Sequence, residues 1–135
     1  MLEVAFVERL AKKEKAMRIM MVVAALAMTA STALADDIED AHRQALQGRD
    51  SYWNCLAREY TRGDAPTMTA QDFAADIAGA CASERQNFRV TLLDYLSQQF
   101  PNADQDAHLT TVNKAIEMAQ KDIVTAFLKH KAAAN

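Results

Sequence analysis

Cys55 and Cys81 are the only thiols in this 135-residue chain. Their side chains have the widest chemical repertoire in it, since a cysteine pair can form a structural disulfide, a redox couple or two metal ligands. Their spacing is not C-x-x-C, which sets aside thioredoxin-type exchange. No further Cys and His stand at the spacing of a structural zinc site. An even pair reads as one intramolecular disulfide when a chain is exported, and the N-terminus carries a signal for export. Closing that loop is worth about 3–4 kcal/mol in the chain-entropy model.

The other residues suited to chemistry form weaker patterns. Asn102-x-Asp104-x-Asp106 opens like a calcium loop, but Ala107 and Asn113 stand where such a loop needs Gly and Glu. Carboxylates that cap a helix account for the cluster better. Asp36, Asp37, Glu39, Asp40 and His42 offer a metal no fixed geometry and read as a solvated acidic start. His108 and His130 lie too far apart on one helix to share a site. There is no C-x-x-C-H for covalent haem, and only Met68 and Met118 remain as methionine ligands outside the leader. Glu84 is the one carboxylate on an apolar face. A buried charge is costly without a partner, and Tyr52 is expected near it as a hydrogen-bond donor. No G-x-S-x-G occurs, and Ser51, Ser83 and Ser97 have no assignable histidine. A small helical bundle also leaves little room for a substrate cleft. The expectation is a protein that is not an enzyme and has no cofactor and no metal.

Ile19–Met28 is an unbroken apolar run. Arg18 precedes it, with Lys12, Lys13 and Lys15 upstream, and Ala33-Leu34-Ala35 follows ahead of Asp36-Asp37. A basic region, a short apolar core and an A-x-A end describe a secretory signal peptide. The run is short for a bilayer span, which needs about 20 residues. We read 17–35 as the signal peptide and 1–16 as an extension ahead of a true start at Met17. Lys13-Glu14 can be encoded as a bacterial ribosome-binding site just before that methionine. The mature chain is then 36–135, a single domain in the periplasm or outside the cell. It carries 15 Asp and Glu against 10 Lys and Arg, a net of −5. That balance disfavours nucleic acid and acidic membrane surfaces as partners.

Gly63, Pro66 and Pro101 cut 36–135 into three helical segments. The first, about 37–62, repeats Ile38, Ala41, Ala45, Tyr52, Leu56 and Tyr60 at three- and four-residue steps, with Gly63 as its stop. The second, about 70–100, opens on a Thr69-Ala-Gln-Asp72 capping box and ends at Pro101. Its stripe is Phe73, Ile77, Ala80, Cys81, Phe88, Thr91, Leu92 and Tyr95, while Leu93, Leu96 and Phe100 fall outside it. The third, about 105–131, carries Leu109, Val112, Ile116, Ala119, Ile123, Ala126 and Phe127. No segment alternates as a strand does. Short links make neighbours antiparallel, which predicts an all-α, three-helix up-down-up bundle. Cys55 and Cys81 then lie within about 6 Å of the same depth in the first hairpin.

Four apolar residues are candidate partner contacts: Trp53, Leu93, Leu96 and Phe100. The competing reading of Trp53 is a core-edge aromatic on the third helix. The competing reading of Leu93, Leu96 and Phe100 is burial by that same helix.

Trp53-Asn54-Cys55, and Ala80-Cys81 followed by Arg85-Gln86-Asn87-Phe88, resemble HdeA-type periplasmic acid-stress chaperones. That family is likewise small, exported, helical and held by one disulfide, although its cysteines enclose a longer segment with additional helices. Only the cysteine pair carries over. The expected protein is exported and helical, a monomer or small homo-oligomer that acts by protein–protein contact, and a stress-protective or chaperone-like role is one version of that reading. The alternative from a different class is a small ligand or metal carrier.

Overall fold

The computed structural model describes residues 32–135. Residues 1–31, which include the proposed extension and most of the proposed signal peptide, lie outside the described residues. The chain divides into two units, Met1–Asp37 and Ile38–Asn135. In the first, residues 32–37 are helical and exposed. The second holds the core and begins with α1, residues 38–57. Two short 3-10 turns follow, Glu59–Thr61 and Ala65–Thr67, then α2 (Ala70–Gly79), α3 (Ala82–Gln99) and α4 (Gln105–Ala133). The described residues contain four helices and no strand. None of these helices is long and apolar enough to cross a membrane.

Each helix starts where the local chemistry favours it. Thr69 caps α2, its Oγ1 accepting from the Asp72 N–H at 3.1 Å while its hydroxyl donates to the Asp72 carboxylate at 2.8 Å. The capping box is therefore used, with Asp bonding the threonine hydroxyl because it is too short to reach back to the backbone. Asp104 caps α4, accepting from the Ala107 N–H at 2.7 Å. The cluster that opened like a calcium loop thus supplies a helix cap. The Phe100 N–H closes α3 on the Leu96 carbonyl before Pro101 stops it.

Two boundaries correct the three-helix expectation. The first helix ends at residue 57 rather than 62. The chain tightens into the Glu59–Thr61 turn and reverses at Gly63, whose φ of +52° is left-handed. The segment expected as one helix over 70–100 is broken at Ala80-Cys81. Ala80 is extended, and Cys81 takes φ 54°, ψ 46°. The reason lies in the apolar pattern. At 100° per residue, Phe73 and Ile77 centre one buried face, while Phe88 and Leu96 centre another about 80° further round. The break lets each segment turn its own buried face toward the core. A non-glycine residue in the left-handed region costs about 1–2 kcal/mol. The break is held by the cysteine bond and by Arg85, whose guanidinium donates to the Ala78 carbonyl at the end of α2.

The core gathers on α4. Its buried stripe is His108, Val112, Ile116, Ala119, Ile123 and Phe127. Twenty-nine residues make it about 43 Å long, enough to serve both α2 and α3. Phe127 stacks on Phe73 of α2 with ring centres 4.0 Å apart, and Arg89 of α3 donates to Asn113 at 2.6 Å. Lys131 donates to the Met68 carbonyl at 2.6 Å, its ammonium 5.8 Å from the Phe127 ring centre. α1 buries Ala41, Ala45, Gly48, Tyr52 and Leu56.

α1 runs close against α3 at Gly48. A Cβ there meets Thr91 Oγ1 at 2.7 Å and the Phe88 Cα at 3.1 Å. The threonine hydroxyl bonds the Asn87 carbonyl at 2.9 Å, and the Phe88 backbone cannot swing aside. Gly48→Ala is therefore expected to destabilise. Overpacking costs about 1–3 kcal/mol against a helix-propensity gain of about 1 kcal/mol. Urea unfolding measures the net loss, and adding Thr91→Ala should recover part of it.

Candidate functional site

The cysteines are joined, with Cα atoms 6.1 Å apart and a separation of 26 positions in sequence. Cys55 comes from the last turn of α1. Cys81 is the N-cap of α3, where its side chain makes no capping hydrogen bond. The pair lies at the break between α2 and α3 rather than midway along a continuous helix. Both cysteines are half-buried.

Glu59 stands beside them. It lies one turn beyond Cys55, and a carboxylate oxygen lies within 4.8 Å of both sulfurs. Its side chain is 22% exposed and accepts from Arg62 Nη1 at 3.2 Å. Arg62 is itself well exposed, so this ion pair orients the carboxylate more than it stabilises the fold. Glu59, Arg62, Asp64, Met68 and Asp76 help line a hollow of about 220 Å³ under the two 3-10 turns. Glu59 is not among the candidate residues that the sequence offers. The signal available was its i+4 spacing from Cys55, which puts both side chains on one helical face.

A second hollow of about 290 Å³ lies where α3 turns into α4, lined by Leu93, Ser97, Pro101, Ala103, Gln105 and His108. His108 is buried at 7% exposure and belongs to the α4 stripe. The other histidines lie against tyrosines: His42 on Tyr95 at 4.7 Å, and His130 on Tyr60 at 5.4 Å between ring centres.

The four candidate contact residues are not brought together. Leu96 is buried in the core, while Leu93 is partly buried against it. Phe100 is 53% exposed at the end of α3. Trp53 is partly buried and packs edge-on to Phe88 at 6.2 Å, so its aromatic neighbour is α3 rather than the third segment of the sequence reading. The Tyr52 hydroxyl is also differently placed from expectation. It accepts from Gln120 Nε2 of α4 at 3.1 Å, so its recorded partner is an amide rather than Glu84. Glu84 is half-buried in the first turn of α3.

Among known proteins, the chain matches no family model, no curated sequence and no solved structure.

Proposed function

We propose that the chain is an exported helical protein that acts through protein–protein contact, in a stress-protective or chaperone-like role in the periplasm. One observation carries this reading: Val90 on α3 and Phe100 at its C-cap are large apolar side chains left 54% and 53% exposed. Large apolar side chains left in water are candidate contact points for a partner. The cysteine bond and the leader-like N-terminus support export. In this reading α2 and α3 together take the place of one arm of a three-arm, up-down-up arrangement.

Charge supports the acid-stress version. Residues 36–135 carry a net of −5 with carboxylates ionised. Near pH 2 the carboxylates are neutral, and ten Lys and Arg plus three His leave the chain strongly cationic. Self-repulsion of that kind loosens packing and exposes apolar surface. The expected result is a rise in apolar-dye fluorescence between neutral pH and pH 2. Wild-type protein should also suppress aggregation of an acid-unfolded client on neutralisation. Phe100→Asp should lose most of that suppression, with stability changed by less than about 0.5 kcal/mol as befits an exposed site. Flat dye fluorescence, or no suppression by the wild type, defeats the proposal. The carrier alternative draws on a different observation, the carboxylate beside the cysteine pair.

A further inference from the structure

We propose that reduction of the Cys55–Cys81 bond converts the two cysteines and Glu59 into a three-ligand site for a thiophilic divalent cation of the Zn²⁺ type. The inference stands apart from the protein-contact reading. Three donors converge from three elements: Cys55 from the end of α1, Glu59 from the 3-10 turn after it, and Cys81 from the start of α3. One ligand atom of each lies within 4.8 Å of the others. All three residues are half-buried, which limits competition from water without closing the site.

The chemistry balances. A dithiol reductant gives two electrons and two protons to the S–S bond, becoming a disulfide itself and leaving two thiols. The cation then displaces both protons as thiolate–metal bonds form. Tetrahedral zinc with sulfur at about 2.3 Å and oxygen at 2.0–2.2 Å needs its ligand atoms about 3.5–3.8 Å apart. The sulfurs must part to reach that spacing and the carboxylate must close in, both within side-chain rotation for Cα atoms 6.1 Å apart. Cys81 at the N-cap of the 18-residue α3 places a thiolate at the positive end of a helix dipole, which favours its charge. Arg62, already on Glu59 Oε1 at 3.2 Å, orients the carboxylate from outside the site. Two thiolates and a carboxylate bring three negative charges, and Zn²⁺ with Arg62 brings three positive ones. A fourth position is left for water. Two sulfurs favour Zn²⁺ over Ca²⁺ or Mg²⁺, which take oxygen ligands.

The test uses the full chain, oxidised or reduced with a phosphine and desalted without oxygen. Zn²⁺ is titrated in competition with a chromophoric chelator, and far-UV circular dichroism is followed in parallel. The expected result is one Zn²⁺ per reduced chain and none competing with the chelator in the oxidised chain. Cys55→Ser should abolish competition, and Glu59→Gln should weaken binding by at least about tenfold. Co²⁺ in place of Zn²⁺ should show thiolate charge-transfer absorption in the reduced chain only. If reduction loosens the helices, Zn²⁺ should restore the helical signal of the wild type and not of Glu59→Gln. The proposal is overturned if the reduced chain binds no stoichiometric Zn²⁺, or if Glu59→Gln binds as tightly as the wild type. Equal binding by the oxidised chain also overturns it, because the cation would then sit on carboxylates alone.

Discussion

Phe127→Ala is expected to destabilise the chain by about 3–5 kcal/mol, the usual cost of truncating a buried aromatic. Phe127 is 1% exposed and stacks on Phe73, itself 1% exposed. Truncation removes the apolar transfer energy and leaves a cavity between α2 and α4. It also strips Lys131 of the ring beneath its ammonium, a contact worth about 0.5–1 kcal/mol at accessible sites. Domains of this size hold about 5–15 kcal/mol in total, so the variant should lose about a fifth or more of its stability. Urea unfolding reads the effect as a lower midpoint with an unchanged slope. Phe127→Leu keeps most of the volume and should cost less than about 2 kcal/mol. A midpoint unmoved by Phe127→Ala would mean that α2 is not docked on α4 through this stack.

The double replacement Cys55→Ser, Cys81→Ser should cost about 3–4 kcal/mol, the chain-entropy value for a loop of this length. Part of the loss has a local origin. Without the bond, the left-handed Cys81 position loses the tie that holds it, and the α2–α3 break is held on by the Arg85–Ala78 contact. α2 and α3 still pack on α4 through Phe73–Phe127 and Arg89–Asn113. Hydrogen exchange should therefore rise first in the last turns of α1 and around residues 79–82, and least in α4. Titration of the untreated wild type should find no free thiol. Two free thiols there, or uniform loss of protection in the variant, would refute this account.

Several features were readable from residue types and spacing. The all-helical class followed from the three- and four-residue apolar steps. Thr69 and Asp104 were recognisable as caps because a short polar side chain ahead of an apolar period satisfies the orphan N–H groups of a helix. The α4 stripe was legible from Val112 to Phe127. His108 was not read as its first member, because a histidine carries no apolar signature even when one face of its ring packs inside. The change of buried face between Ile77 and Phe88 was also present in the pattern, as Leu93, Leu96 and Phe100 falling outside the first stripe. It admitted two explanations, wider burial of one helix or a break between two. No proline marks the break, and Gly79 is the only weak helix former beside it.

Local chemistry was thus sufficient for helix content, caps and the pairing of the only two cysteines, because each depends on neighbours in sequence or on there being a single partner. The tertiary structure decided what depends on several helices sharing one core. It settled that α2 and α3 separate at Cys81 so that both can face α4. It gave the Tyr52 hydroxyl to Gln120, 68 positions away, and set Gly48 against the Phe88 backbone. It also brought Glu59 within 4.8 Å of both sulfurs. Cys55 and Glu59 share a helical face in any sequence reading, and the Cys55–Cys81 bond then sets the second sulfur beside the same carboxylate.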